Sequence, residues 1–174
     1  MKTLTISVSN QEHLIHLSEL ATLIALEAEK NNMLAWAENE LAGQIAKSNA
    51  CIALLGDQLI GYAGFMEWKV YVEICALIVK LEYREQGIGS NLVRKAIKVA
   101  LKKFPEKEII ILPNRISGKI SLKLGFCQKA KAEFEPEIWS ACANCKEVIT
   151  FPKCHCQPMI FQKLGSPEPE RRKL

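Results

Sequence analysis

The chain has 174 residues, of which 49% are hydrophobic and 24% charged, proportions that fit a soluble globular domain and neither a disordered nor a fibrous chain. That length suffices for one self-sufficient core. The net charge of +4 arises entirely after Val93, the earlier part being net acidic; this suits a small anionic ligand better than nucleic acid, for which a clustered basic face is the expected footprint.

No stretch free of Asp, Glu, Lys and Arg exceeds nine residues, whereas a membrane-spanning helix needs about 20 mostly apolar ones. Residues 1–8 alternate polar and apolar side chains as a strand does and lack the continuous apolar run of a signal peptide. The expectation is a cytoplasmic protein without a membrane partner.

After this first strand, Leu14, Leu17, Leu20, Ala21, Ile24 and Ala28 share one helical face within 11–29, and a second helix is expected over 33–47. Segments 50–55, 59–65 and 71–79 read as strands of an antiparallel meander, the first two joined at Gly56-Asp57. Ile88, Leu92, Val93, Ala96, Val99 and Ala100 recur at helical spacing over 87–104, with lysines collected toward the C-terminal end. A short buried strand over 108–112, a helix over 115–124 stopped by Gly125, and strands over 126–130 and 159–164 complete the series. The order βααβββαβαβ plus one late strand predicts a mixed α/β fold, its sheet part antiparallel and part joined by helical crossovers. One domain over 1–164 and a flexible tail over 165–174 follow, the tail being Pro-rich and charged.

Chemistry enters where the strand over 71–79 runs into the next helix. Gly87 and Gly89 remove side chains that would keep a ligand off the backbone, and the first-turn N–H groups of that helix have no intrahelical acceptors. An anion can sit there, held by free amides and the helix dipole. The spacing Arg84-x-x-Gly87-x-Gly89 is neither the dinucleotide G-x-G-x-x-G nor a P-loop.

Arg84-x-x-Gly87-x-Gly89 after the strand Glu73 to Val79 resembles the acetyl-coenzyme A signature of the GNAT acetyltransferases, and Asn114 through Gly125-Phe126 looks like that family's last crossover helix. The resemblance implies a GNAT-like α/β fold and an N-acetyltransferase that moves an acetyl group from acetyl-CoA to a small-molecule primary amine by direct attack. It further implies that backbone groups of Leu77 and Val79 pair with the pantetheine arm as an added strand would. Amides of Arg84, Glu85, Gln86, Gly87, Ile88, Gly89 and Ser90 would then cradle the diphosphate, with Asn114 on the pantetheine side. A homodimer is left open.

Attack needs a neutral amine, while a free α-amine has pKa near 7.8 and a lysine amine near 10.4, so a base must help. Glu73 is the candidate: it alone is charged between Lys69 and Lys80, and it interrupts an apolar strand ending at the cofactor loop. Its plain alternative is an outward-facing carboxylate on a half-exposed strand. Many relatives carry a tyrosine acid where this chain has Ser121. A serine hydroxyl cannot replace a phenol as an acid, though it can orient a water or bond the sulfur. A non-catalytic coenzyme A-binding or protein-interaction module is the rival reading.

Seven cysteines in a chain without an export signal are expected to be mostly reduced. Cys51, Cys75 and Cys127 lie in strand-like runs and read as small buried hydrophobes. Cys142, Cys145, Cys154 and Cys156 form two close pairs around an eight-residue loop, a pattern able to close a structural Zn2+ site of four thiolates, with free thiols or a redox disulfide as alternatives. This insert over 140–157 resembles the C-terminal part of stand-alone relatives of N-acetylglutamate synthase, which implies an amino-acid acceptor.

Overall fold

The lysine-rich amphipathic pattern over 87–104 becomes the helix on which half of the sheet is built. A computed structural model describes residues 2–30, 32–144 and 156–162. Within them, seven strands form one sheet: β1 (Leu4–Val8), β2 (Ala50–Leu55), β3 (Gln58–Glu67), β4 (Tyr71–Val79), β5 (Glu108–Ile111), β6 (Phe126–Gln128) and β7 (Met159–Phe161), in the spatial order β1-β2-β3-β4-β5-β7-β6. The helices are α1 (Leu17–Glu29), α2 (Glu38–Ala46), α3 (Ile88–Lys103) and α4 (Arg115–Lys123). β1 to β4 form the antiparallel meander, β4 and β5 pair in parallel through the α3 crossover, and β7 runs antiparallel to both β5 and β6. The mixed α/β expectation holds, and no described helix is long and apolar enough to cross a membrane.

Several boundaries differ from the sequence expectation for local reasons. The first helical segment starts as a 3-10 stretch over Gln11–His16 before α1. α2 begins at Glu38, where the Glu40 carboxylate reaches back to the Ala37 N–H at 2.9 Å and so fixes the helix start. β6 spans three residues because β7 pairs with it only from Phe126 to Gln128. A 3-10 segment over Pro136–Asn144 occupies the start of the Cys-rich insert.

Two apolar clusters cover opposite faces of the sheet. On one, Ile88, Leu92, Val93, Ala96, Ile97 and Ala100 of α3 pack on Cys51, Ile60, Phe65, Val72 and Ile74, with Ile120 of α4 and Leu124 just after it alongside. On the other, Leu20 and Ile24 of α1 and Leu41 and Ile45 of α2 meet Ala50, Ile52, Leu59, Tyr62, Ala76 and Ile78. The approach of α3 is close: a Cβ on Gly61 would lie 2.9 Å from Leu92 Cδ1. A third cluster, Tyr71, Ile110, Phe134, Ile138 and Ile160, fills the far end of the second face.

The irregularity that shapes the molecule is in β4. Tyr62 pairs with Ile78 and Gly64 with Cys75, so one extra residue is accommodated opposite Ala63, and Ala76 takes φ +50°. This bulge switches the side on which alternate side chains fall. Val72 and Ile74 face α3 before it, whereas Ala76 and Ile78 face α1 and α2 after it.

Candidate active site

Pairing of β4 with β5 covers only Tyr71 to Ile74, opposite Glu108 to Ile111, so among the described residues the strand edge from Cys75 to Val79 has no neighbouring strand on that side. Lys80 N–H donates to Ile60 O at 2.9 Å, which makes Ile60 and Lys80 a bonded pair and turns the backbone of the intervening Val79 toward the open edge. Leu77 follows in the same alternation. The Val79 carbonyl is already taken, accepting from Arg84 Nε at 2.9 Å. An extended ligand added at this edge therefore meets the Val79 N–H, not its carbonyl.

The edge runs into the loop before α3. Glu85 takes φ +63° and Gly87 φ +78°, the latter capping α3, so Gly87 occupies a left-handed position that any other residue would strain. Ile88 is buried and anchors the first turn, while Gln86 Nε2 donates to Glu82 O at 3.3 Å. Gly89 serves differently: a Cβ there would stand 3.7 Å from Val79 and 3.5 Å from Ile120 of α4, between the end of the open strand and the last crossover helix. Arg84, Glu85, Gln86, Gly87, Ile88, Gly89 and Ser90 are thus one continuous turn and helix start at the end of β4.

Arg84 is committed by its side chain as well as placed by its backbone. Its Nη2 lies 3.1 Å from Glu27 Oε1 of α1. Glu27 also accepts from Asn32 Nδ2 at 2.7 Å and Lys30 Nζ at 3.2 Å. Burial alone would raise the Glu27 pKa, but these donors and the Arg84 guanidinium outweigh it and hold the carboxyl below its usual value. Asn32 O in turn accepts from Asn114 Nδ2 at 2.6 Å, and Asn114 Oδ1 accepts from Ser117 N at 2.9 Å at the start of α4. Arg84, Glu27 and Asn32 therefore fence a cleft of about 360 Å³ that is also lined by Leu23, Leu26, Ile78, Val79 and Leu81, and Asn114 braces Asn32 behind it.

Glu73 lies just before the open edge, in the part of β4 that still pairs with β5. It pairs with Met66 and Ile110, alternates with the α3-facing Val72 and Ile74, and so faces the α1 and α2 side, between the second and third clusters. Burial pushes its carboxyl up to about 7, partly offset by a hydrogen bond from Trp68 Nε1 to Oε2 at 3.0 Å. A carboxyl in that range exists in both protonation states near neutrality. Next to it, burial first and the Glu73 carboxylate second push the Cys75 thiol well above its usual pKa. Gln44 of α2 completes this face: Nε2 approaches Cys75 Sγ at 3.9 Å while Oε1 accepts from the buried Tyr62 hydroxyl at 2.8 Å. Gly64 makes room for that amide, since a Cβ there would fall 2.1 Å from Gln44 Oε1.

Ser121 is fully buried, and its hydroxyl donates to Ser117 O at 2.9 Å within α4. Tyr83 donates to Gln58 at 3.3 Å on the far side of the loop. Cys51 is buried and its thiol is pushed up to about 12, mainly by burial, as suits a small apolar group. Of the four-cysteine set, Cys145 and Cys154 lie outside the described residues, as does the side chain of Cys142, and Cys156 is half-buried just before β7. Among the described residues no group of three or more His, Cys, Asp or Glu side chains is arranged to hold a metal.

Trp68, Gln44, Glu27 and Asn32 join this site without having been singled out by motif. Glu27 carries a weak signal, as the acidic residue nearest the apolar face of α1; the others carry none, because their partners are distant in sequence.

A family model described as acetyltransferase (GNAT) family matches residues 12–126. No curated protein sequence matches the chain. Among solved structures, the fold is similar to N-acetylglutamate synthase from Neisseria gonorrhoeae complexed with coenzyme A and N-acetyl-glutamate (TM-score 0.71, 17% identity, 92% of this chain and 35% of that chain). It is also similar to Rv2747 from Mycobacterium tuberculosis in complex with CoA (TM-score 0.70, 14% identity, 92% and 99%) and to PaiA N-acetyltransferase from Thermoplasma acidophilum in complex with coenzyme A (TM-score 0.63, 17% identity, 92% and 99%). The chain thus spans about a third of the length of the N-acetylglutamate synthase that it matches.

Proposed function

This chain belongs to the GNAT acetyltransferase family, and from that premise we propose that it is an acetyl-CoA-dependent N-acetyltransferase whose acceptor is a small-molecule primary amine. The observation that carries the proposal is the open edge of β4, which joins a carboxylate at one end, Glu73, to a free-amide helix start at the other, Gly87 to Ser90. The pantetheine arm would lie along this edge on the Leu77 and Val79 N–H groups, with the diphosphate at the amides of Glu85 to Ser90, since the Arg84 N–H already donates to Leu81 O at 3.2 Å. Asn114, bonded to Asn32, would border the arm and not bind it through its Oδ1, which caps α4.

The amine nitrogen attacks the thioester carbonyl carbon, the carbon–sulfur bond breaks, and coenzyme A leaves as thiolate. The proton lost by the amine passes to Glu73, directly or through a water, since a group titrating near 7 can accept it at neutral pH. A thiol has pKa near 8.5, so the leaving thiolate needs little assistance from an acid, and the internal bond of Ser121 leaves this hydroxyl a minor part at most. An amino acid as acceptor is the finer reading, supported by the likeness of fold to a synthase holding N-acetyl-glutamate and by the resemblance of the cysteine insert. Four thiolates, Cys142, Cys145, Cys154 and Cys156, fit a closed structural zinc site in donor chemistry.

The test is release of coenzyme A thiol from acetyl-CoA against amino acids, polyamines, aminoglycosides and peptides. Turnover with at least one amine, lost in Glu73→Gln, is expected. Acetyl-CoA binding without turnover on any amine would favour the non-catalytic reading.

A further inference from the structure

Glu73 has a single hydrogen-bond donor among the described residues, the indole N–H of Trp68, which reaches Oε2 at 3.0 Å. The second oxygen, Oε1, is left for a substrate or a water. Trp68 comes from the turn between β3 and β4, and that turn is tied down on both sides of the indole. Trp68 N donates to Tyr71 O at 2.9 Å, and Trp68 O accepts from Lys107 Nζ at 2.6 Å. The indole itself packs on the cluster of Tyr71, Ile110, Phe134, Ile138 and Ile160. Lys69 N–H is held by Glu137 Oε1 at 2.9 Å, which fixes the same turn to the segment before the cysteine insert.

We propose that Trp68 is a positioning residue for Glu73: its N–H pins one carboxylate oxygen and presents the other to the acceptor amine or its water. The proposal rests on the reading of Glu73 as proton acceptor. It gains from the surroundings of Glu73, where among the described residues no second donor is hydrogen-bonded to the carboxylate. Its strand partners are Met66 on β3 and Ile110 on β5, and its neighbour on β4 is the Cys75 thiol. From α2 the neutral Gln44 amide faces Cys75 and Tyr62, and the nearby charges are spent elsewhere, Glu137 on Lys69 N–H and Lys107 on Glu67 and Trp68 O. An N–H bonded to a carboxylate favours the charged form, so Trp68 also sets where Glu73 titrates.

The experiment compares wild type, Trp68→Phe, and protein with Trp68 replaced by 3-benzothienylalanine, which keeps the bicyclic shape and lacks only the N–H. The Glu73 carboxyl is followed by ¹³C NMR titration, and kcat is measured from pH 6 to 9 with the best acceptor. Both substitutions are expected to raise the Glu73 midpoint by about one pH unit, lowering kcat about fivefold at pH 7 with recovery by pH 9. The isosteric analogue keeps the test valid if Trp68→Phe fails to fold. An unmoved midpoint, or a loss of kcat equal at every pH, overturns the positioning role. Glu73→Gln is the separate control: full turnover in that variant removes the base reading itself, whereas an inactive Glu73→Gln with unmoved Trp68 variants removes only the role of Trp68.

Discussion

The burial that makes Glu73 useful near neutrality should also cost the fold. Its carboxyl titrates at about 7 in place of the ordinary 4.5, so the folded state holds this proton more tightly than the unfolded chain does. A carboxyl with a raised folded pKa contributes stability while protonated. That contribution is full below the unfolded value, fades as pH rises from about 4.5 to about 7, and is gone above it. At 1.36 kcal/mol per pH unit, the difference comes to at most about 3 kcal/mol. Glu73→Gln keeps the shape and an oxygen for the Trp68 indole but cannot ionise. The variant is therefore expected to outlast wild type at pH 8 by up to about 3 kcal/mol, or about 6–12 °C in Tm for a chain of this size, and to be nearly equal to it at pH 4.5. Paired thermal melts at the two pH values, with urea titrations for the free energies, measure this directly. A difference of the same size at both pH values would mean that Glu73 ionises freely in the folded protein, and the buried-base argument would fall with it.

The other expectations are local. Gly89→Glu would put a side chain and a negative charge between Val79 and Ile120, at the end of the open edge; acetyl-CoA affinity should drop at least tenfold by calorimetry, and unchanged affinity would remove this loop from the cofactor site. Gly64→Ala would drive a Cβ into the Gln44 amide and strip the buried Tyr62 hydroxyl of its acceptor. A loss of about 1–3 kcal/mol in urea unfolding is expected, and none at all would show that Gln44 is not needed where it stands. Protein purified without added metal or a histidine tag should carry about one equivalent of zinc by elemental analysis if Cys142, Cys145, Cys154 and Cys156 close a site. Less than about a tenth of an equivalent, with all four thiols alkylated freely, would refute it.

The parts of this fold legible in the sequence are those set by near neighbours. The amphipathic stripe of α3, the strand meander before it, and the glycines at its start depend on side chains within one or two turns, and these elements stand where periodicity and turn chemistry put them. Elements set by distant partners were not legible. Residues 159–164 read as a late strand, yet nothing in so short a run tells that Met159 to Phe161 inserts between β5 and β6, a choice made by Ile110, Cys127 and the cluster beneath Tyr71. The indole of Trp68 meets Glu73 across a hairpin, and Gln44 meets Tyr62 from another element, so no spacing rule marks either.

The bulge in β4 is the sharpest case, because it reconciles two demands on one strand. In a regular strand, Glu73 facing α1 and α2 would bring Leu77 and Val79 to that same face and turn Ile78 into α3. The extra residue at Ala76 breaks that alternation: Ile78 joins Leu20 and Ile24 on the α1 side, and Leu77 and Val79 turn toward the α3 cluster. Both halves of the strand thereby bury apolar side chains while Glu73 keeps its place, and pairing with β5 ends at Ile74, two residues before the bulge. A left-handed alanine carries a cost of order 1 kcal/mol, and the sequence Ile74-Cys75-Ala76-Leu77 offers no glycine or proline to announce it. The strained residue is buried in the cluster on the α1 and α2 side, and the edge that it frees is the one to which the cofactor is assigned.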